Sequence, residues 1–255
     1  PPTPGQPVKQ PFHIPFAVGL VDADGRDIPL RLDGEAAPLG TTRVLDVREA
    51  RQSFRFAGVA TAPVPSLLRG FSAPVGVEFD YTADELAFLA AHDRDPFCRW
   101  EAVQRSFTAA ILALARDHAE RRPLVLPESL AGIARSLLAD RIGDPALLAL
   151  ALTPPDPGYL AALCDPIDVD GIGHAREFVL RALAVALRPE FEQAYGERRV
   201  RAAYAATPAQ TGPLGGSTWA TWIGIALAAT VLGSVAIARL INRPLQQLSF
   251  AASRI

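Results

Sequence analysis

The hydrophobic repeat of this chain changes at Thr82, and that change constrains the fold more than any other feature. Before Thr82, apolar and polar residues alternate with the period of a half-buried strand at residues 12–22, 27–34, 42–59 and 74–81. From Thr82 onwards, apolar residues recur with the 3.6-residue period of a helix. The pattern predicts an antiparallel β-sandwich of about six strands over residues 1–81, followed by an all-α, solenoid-like region over residues 82–204.

Short local signals support this division. Thr82 and Glu85 have the spacing of a capping box, in which each residue satisfies a backbone N–H of the other. Asp-Gly at positions 24 and 25 predicts a type I′ hairpin turn, whose two central residues both have positive φ. Four Asp-Pro pairs are each predicted to begin a helix, because Asp suits the N-cap and Pro the first helical position. These pairs are Asp95-Pro96, Asp144-Pro145, Asp156-Pro157 and Asp165-Pro166.

A second apolar feature lies near the end of the sequence. Residues 205–218 are rich in Pro, Gly and Thr and predict a linker, and residues 219–238 carry no charge over 20 positions. Twenty helical residues span about 30 Å, so this segment predicts a single transmembrane helix. Membrane boundaries are indicated by Trp219 and Trp222 at one end and Arg239 at the other, and Gly233 offers a small residue for close helix contact. A buried helix of a water-soluble protein is the alternative.

Residues 239–255 continue with apolar residues spaced as in a coiled coil. The seam follows Pro244 and consists of Leu245, Leu248, Ala252 and Ile255. With the segment before it, residues 214–255 resemble the last membrane helix and the start of the HAMP linker of osmosensor-type sensor histidine kinases. The resemblance implies a truncated HAMP helix, a single-pass protein of the bacterial inner membrane, contact with the lipid bilayer and a parallel homodimer. An amphipathic juxtamembrane helix of no family is the alternative.

Residues 1–205 resemble a different family. The stretches "KQPFHIPFAVGLVDADG", "FSAPVGVEFDY" and "DPFCRWEAVQ" are similar to the β-sandwich domain and the first helices of the C-terminal helical domain of bacterial aminopeptidase N. Members of that family are cytoplasmic zinc exopeptidases that remove N-terminal residues from peptides. The resemblance implies that the sandwich packs against a thermolysin-like catalytic domain, which holds the zinc and lies outside this sequence.

No catalytic or metal-ligating residue is predicted in the chain itself. The zinc site of such peptidases needs two His at positions i and i+4 of a helix, and His13, His92, His118 and His174 are too far apart. Residues 166–177 resemble an EF-hand loop but begin with Pro, so a helix start is favoured there. His13 is interpreted as a satisfied histidine at a sandwich edge. We expect no cofactor in this chain and no enzyme activity from it alone.

The net charge and the absence of Met bear on the possible partners and on the origin of the chain. The formal net charge is −2, which gives no indication of nucleic-acid binding. The absence of Met suggests a fragment cut at both ends, with two unrelated genes joined near residues 205–216. The first hypothesis is therefore a non-catalytic aminopeptidase fragment joined to a membrane anchor, by gene fusion or by an assembly artefact. The alternative is a membrane-bound, sensor kinase-like protein with an aminopeptidase-derived input domain.

Overall fold

The first alternating stretch forms the central strand of a three-stranded antiparallel sheet. The structure, a computed structural model, describes residues 4–5, 10–141 and 143–198. Strand β1 (Ile14–Val21) pairs with β2 (Thr42–Val47) on one side and with β3 (Val64–Leu67) on the other. Residues 17–21 of β1 are all buried, so both faces of the sheet are covered at this end. The antiparallel arrangement predicted from the alternation is confirmed for these strands.

The sheet is smaller than the predicted six-stranded sandwich. Residues 27–34 and the second half of 42–59 contribute only two isolated bridges, Val21–Asp27 and Leu32–Phe56. The predicted strand at residues 74–81 is wrong, because this segment has no strand structure. The guanidinium of Arg105 donates to the carbonyl oxygens of Val77 and Phe79. A side chain therefore satisfies backbone groups that a neighbouring strand would otherwise pair.

The turn after β1 is present, but its type differs from the predicted one. Gly25 has φ +78°, whereas Asp24 is not among the residues with positive φ, so the turn is not type I′. The amide of Gly25 donates to the carbonyl of Asp22, and the amide of Asp22 donates to the carbonyl of Arg26. The Asp22 carboxylate also accepts the amides of Asp24 and Arg26, which favours this three-residue loop.

Helices occupy the rest of the described chain. A 3-10 turn (Arg69–Phe71) follows β3, and seven α-helices come after it. They are α1 (Ala83–His92), α2 (Pro96–Ala119), α3 (Glu128–Ala139), α4 (Pro145–Ala151), α5 (Pro157–Ala162), α6 (Val169–Ala186) and α7 (Arg188–Arg198). The 24-residue α2 is the centre of the array and contacts α1, α4 and α6. The change from strands to helices at Thr82 is confirmed.

Most helix starts agree with the sequence signals. The Thr82 hydroxyl accepts the amide of Glu85 at 3.1 Å, and the Glu85 carboxylate accepts the amide of Thr82 at 2.8 Å, which confirms the capping box. The Asp-Pro pairs before α2, α4 and α5 are confirmed as N-caps. The prediction that a helix begins at Asp165-Pro166 is wrong. Helix α6 begins three residues later, where the Asp168 carboxylate accepts the amide of Gly171 at 2.8 Å.

The core joins the helices to the end of the sheet. Phe107 and Ile111 of α2 are almost fully buried, and Leu130 and Leu137 of α3 are equally inaccessible. Val21, the last residue of β1, belongs to the same hydrophobic cluster as these helical side chains. The sheet and the helices therefore share one continuous core.

The structure does not reach the predicted membrane segment. Of the helices in the described ranges, none combines the length and the apolar character that crossing a membrane requires. The linker at 205–218, the transmembrane segment at 219–238 and the HAMP segment at 239–255 lie outside the described residues. The residues predicted to function in them, Trp219, Trp222, Gly233, Arg239, Pro244, Leu245, Leu248, Ala252 and Ile255, lie outside them as well.

Candidate functional site at the junction of the sheet and the helices

A buried arginine stands at the junction between the sheet and the helices. The side chain of Arg69 is only 5 % exposed. Its two Nη atoms donate to the Asp27 carboxylate at 2.6 and 3.2 Å, and its Nε donates to the Ser66 hydroxyl at 2.8 Å. Nη1 also donates to the Thr42 hydroxyl at 3.0 Å. One guanidinium therefore ties β2, β3 and the loop after β1 together.

Gly19 makes room for this guanidinium at the middle of the sheet. A Cβ atom built on Gly19 would lie 2.0 Å from Cζ and 2.2 Å from Nε of Arg69. Real Cβ atoms do not approach other atoms so closely, so any side chain here would displace the arginine. Gly19 does not have a positive φ, and its role is therefore close approach and not backbone conformation.

Two aspartates extend the network into the helices. Asp93, the C-cap of α1, has a fully buried side chain, and its Oδ1 lies 3.4 Å from Arg69 Nη2. The same oxygen accepts the amide of Asp95 at 2.9 Å. Asp95 in turn accepts the amide of Gly70 and the amide of Cys98, both at 2.9 Å. Its carboxylate therefore caps α2 and holds the 3-10 turn at the same time.

Burial sets the direction of the pKa shifts of Asp93 and Cys98 at this junction. Burial raises the pKa of Asp93, although the Ser66 hydroxyl, the Asp95 amide and the Arg69 guanidinium each act to lower it. Burial also raises the pKa of the Cys98 thiol, which lies 3.2 Å from the carbonyl oxygen of Leu67. A buried thiol with a raised pKa is not an activated nucleophile, because the thiolate is the reactive form.

The backbone next to Arg69 adopts an uncommon conformation. Leu68, Gly70 and Phe71 have φ values of 63°, 63° and 50°, all in the left-handed region. Non-glycine residues there cost of order 1–3 kcal/mol each, and they persist only where the surroundings hold them. The Arg69 contacts and the bond from Gly70 to Asp95 are the interactions that hold this turn.

An apolar groove of about 460 Å³ opens beside this turn. Its walls include Phe71, Phe97 and Trp100, and the centroids of successive rings are 5.1 and 5.9 Å apart. Arg105 lies over the Tyr81 ring, with its Cζ atom 5.6 Å from the ring centroid. The hydroxyl of Tyr81 donates to the carbonyl of Pro65 at 2.6 Å, which fixes the extended segment before α1 against β3.

The described residues do not provide a metal site. No three His, Cys, Asp or Glu side chains within 4–5, 10–141 and 143–198 are grouped so that they could hold an ion. His13 instead pairs with Asp46 at 2.8 Å, as interpreted from the sequence, and this hydrogen bond lowers the pKa of Asp46. The EF-hand-like stretch is a helix start, because Asp168 is the N-cap of α6.

Sequence reasoning missed the Arg69 network. The signal available was a single charge within the apolar run "PVPSLLRGFSAPV", since a buried arginine needs carboxylate partners. Nothing in the sequence identifies those partners. Asp27 is 42 positions and Asp93 24 positions away from Arg69.

Two family models match the chain, and the boundary between them lies close to Thr82, where the strands give way to helices. Residues 83–213 match the model described as "Domain of unknown function (DUF3458_C) ARM repeats", and residues 1–80 match "Domain of unknown function (DUF3458) Ig-like fold". These similarities do not support the resemblance of residues 214–255 to a sensor histidine kinase.

Two bacterial relatives of this chain are both named aminopeptidase N. The chain is 42 % identical over 195 residues to aminopeptidase N of Escherichia coli (strain K12), covering 76 % of this chain and 22 % of the relative. It is 34 % identical over 201 residues to aminopeptidase N of Haemophilus influenzae, covering 78 % and 23 %. The crystal structure of Legionella pneumophila aminopeptidase A in complex with aspartic acid matches with a TM-score of 0.59 and 25 % identity, over 76 % of this chain and 21 % of that chain. The chain thus spans about a fifth of the length of these relatives.

Proposed function

Because the chain belongs to the DUF3458_C family of ARM-repeat domains and is homologous to the C-terminal part of aminopeptidase N, we propose that it serves as a non-catalytic scaffold of an aminopeptidase. In this proposal the sheet and the helices form one unit, and a separate catalytic domain packs against the sheet. The parent reaction would be removal of N-terminal residues from peptides.

The observation that carries the proposal is the junction around Arg69. A module that only linked two domains would need no fixed angle between its sheet and its helices. Here one buried guanidinium contacts Asp27 on the sheet side and Asp93 at the end of α1, and Asp95 bonds to both the 3-10 turn and α2. Buried, mutually hydrogen-bonded charges fix one geometry, because any rearrangement leaves a charge unpaired. Such rigidity suits a scaffold.

Exposed apolar side chains in the sheet region favour the proposal that another domain packs there. Phe12, Leu39 and Val44 are 77 %, 60 % and 58 % exposed. Val44 lies in β2, at one edge of the three-stranded sheet. The exposed Val44 on the β2 edge offers apolar contact area to another domain, and we assign that position to the catalytic domain.

The residues of this chain perform no catalytic step in the proposed function. Zinc peptidases need three protein ligands around an open coordination position. The described residues do not form such a group, and no two histidines anywhere in the sequence are four positions apart. Zinc and the general base of the parent reaction would therefore come from the catalytic domain.

We expect the purified 255-residue chain to bind no stoichiometric zinc and to hydrolyse no aminoacyl p-nitroanilide. The reason is the lack of a preorganised ligand set in the described residues. Metal analysis after gel filtration and a continuous absorbance assay would measure both, with Escherichia coli aminopeptidase N as the positive control. One tightly held zinc per chain, together with hydrolysis that a chelator abolishes, would show that the chain is itself an enzyme.

A membrane anchor is proposed from the sequence alone. Residues 219–238 carry no charge over a membrane length, and Arg239 and Arg243 follow them. We expect this segment to insert into the bacterial inner membrane with its C-terminal end in the cytoplasm. Leu227→Arg should weaken insertion, because an arginine at the helix centre costs about 2.5–3.5 kcal/mol. Leu227→Ile is the matched control.

A reporter fused after Ile255 measures this arrangement. Alkaline phosphatase that is inactive there, with a fluorescent cytoplasmic reporter that is bright, is the expected result. The opposite pattern would reverse the orientation, and recovery of the chain in the soluble fraction would exclude the anchor. The described residues contain no observation that favours the sensor hypothesis or the parallel homodimer, so both stay predictions of the sequence.

A further inference from the structure

The two edges of the sheet differ in how their outer backbone groups are satisfied. At the β3 edge, the hydroxyl of Tyr81 donates to the carbonyl oxygen of Pro65 at 2.6 Å, and the thiol of Cys98 lies 3.2 Å from the carbonyl oxygen of Leu67. Pro65 itself has no backbone N–H. Side chains and a proline therefore close this edge against a further strand.

The outward groups of β2 follow from its pairing with β1. Val44 lies opposite Ala17, and the amide of Ala17 donates to the Ser72 hydroxyl at 2.9 Å instead of to β2. In an antiparallel ladder, opposite residues alternate between pairs that bond to each other and pairs whose backbone groups point apart. Ala17 and Val44 form a pair of the second kind, so the N–H and C=O of Val44 point away from β1.

The side chain of Gln52 occupies one end of this outer edge. Its Nε2 donates to the carbonyl oxygen of Asp46 at 2.9 Å, and its Oε1 accepts the amide of Arg48 at 2.8 Å. Asp46 and Arg48 follow Val44 at intervals of two residues, so their backbone groups share its outward direction. The carboxamide therefore satisfies groups that a neighbouring strand would otherwise pair.

Thr42 and Val44 form the stretch of the β2 edge that stays open. β2 is the last strand of the sheet on this side, and among the described residues no hydrogen bond reaches Val44 from outside. Native proteins close such edges with Pro, charged side chains or bulges, and neither Thr42 nor Val44 is one of these. The outer backbone groups of both residues are therefore available to another strand.

The relatives of this chain have enough further sequence to supply that strand. The match covers 22 % of Escherichia coli aminopeptidase N, so 78 % of that relative lies outside it. Residues 1–9 of this chain do not suit the position, because four of them are proline and offer no N–H. The partner that fits best is accordingly a segment of the domain that we have assigned to the β2 edge.

We propose that an extended segment of the catalytic domain adds to β2 as a fourth strand at Thr42 and Val44. This inference rests on the proposed scaffold function. Main-chain hydrogen bonds supply the affinity in such strand addition, and alternate side chains supply the specificity. The residue opposite Val44 must not be proline, because it donates to the Val44 carbonyl oxygen, and an apolar side chain there covers the exposed Val44.

Hydrogen exchange measured residue by residue on the full 255-residue chain tests whether the edge is open. The amides of Thr42 and Val44 should exchange nearly as fast as in an unstructured peptide. Those of Arg43 and Leu45, which face β1, should be protected by at least about 100-fold. Equal protection of Val44 and Leu45 would overturn the proposal, because a second copy or this chain itself would then already pair with the edge.

The same measurement in a chimera tests the added strand. In Escherichia coli aminopeptidase N that carries the 195 matching residues of this chain, the Val44 amide should exchange about 100-fold more slowly than in the chain alone. Unchanged exchange of Val44 in an active chimera would overturn strand addition and leave the scaffold role intact. A folded chimera without activity would instead contradict the scaffold role, so the two failures are distinguishable.

Val44→Pro in the chimera separates strand pairing from side-chain contact. Proline keeps an apolar side chain but has no N–H, and the amide of Val44 is not used in pairing with β1. The Thr42 amide should therefore return to fast exchange. Val44→Thr keeps the N–H and is the matched control, in which Thr42 should stay protected. Continued protection of Thr42 in the Val44→Pro chimera would show contact without strand pairing and would overturn the proposal.

Discussion

Replacing Gly19 by alanine is expected to lower the free energy of unfolding by about 3–5 kcal/mol, the usual cost of leaving a buried ion pair broken. The new Cβ atom would lie 2.0 Å from Cζ of Arg69, so the guanidinium would have to leave its position. Asp27 and Asp93 would then be buried without their cation. Equilibrium urea unfolding followed by circular dichroism measures the change.

Gly132→Ala is the matched control for this substitution. Gly132 lies inside α3, and a Cβ atom built there meets no atom within 4 Å. Alanine at a helix interior position is favoured over glycine by about 1 kcal/mol, so this variant should be more stable than the unsubstituted chain. If Gly19→Ala were equally well tolerated, Arg69 could not lie across the sheet at this position.

Replacing Arg69 by methionine should have an effect of similar size, about 3–5 kcal/mol of lost stability. Methionine keeps much of the length of the side chain but cannot donate hydrogen bonds to Asp27, Ser66 and Thr42. The left-handed turn at residues 68–71 would also lose the Arg69 contacts, which hold it together with the bond from Gly70 to Asp95. We expect the sheet region to lose its structure before the helices do, which hydrogen exchange measured residue by residue would show.

Arg26→Met is the control for the loss of an arginine. Arg26 pairs with Asp24 at 3.0 Å, but the two side chains are 71 % and 68 % exposed. Exposed ion pairs contribute about 0–1 kcal/mol, so this variant should unfold almost as the unsubstituted chain does. Equal losses for Arg69→Met and Arg26→Met would mean that the buried network does not hold the junction.

Local signals in the sequence predicted the helical region well. The capping box at Thr82 and the N-caps at Asp95, Asp144 and Asp156 depend only on residues within a few positions of one another. The Asp165 pair failed because Asp168, three residues further on, caps the free amides at the start of α6. Competition between neighbouring caps is hard to resolve without the path of the chain.

The sheet was harder to predict, because its shape depends on distant residues. The alternation at residues 74–81 fits a strand, yet Arg105 of α2 satisfies the carbonyls of Val77 and Phe79. Likewise, the turn at residues 24–25 was placed correctly, but its type is set by the carboxylate of Asp22. A side chain that replaces a ladder hydrogen bond leaves no mark on the hydrophobic period.

The junction itself could not be predicted from the sequence. The sequence analysis did not single out Arg69, and the partners of this arginine lie 42 and 24 positions away along the chain. Which of the 27 acidic residues reach it depends on how the sheet packs on α1 and α2. The close approach over Gly19 depends on the same packing, because the sequence shows only a glycine within a strand.

If this chain is a scaffold without catalytic groups, it should be able to replace the matching region of a related aminopeptidase without loss of that enzyme's activity. The most direct measurement is aminopeptidase activity in a chimera, in which only the 195 matching residues of this chain replace the corresponding region of Escherichia coli aminopeptidase N. We expect the chimera to hydrolyse an aminoacyl p-nitroanilide within about tenfold of the Escherichia coli enzyme, a loss of about 1.4 kcal/mol in transition-state stabilisation. A soluble, folded chimera with no activity would contradict the scaffold role.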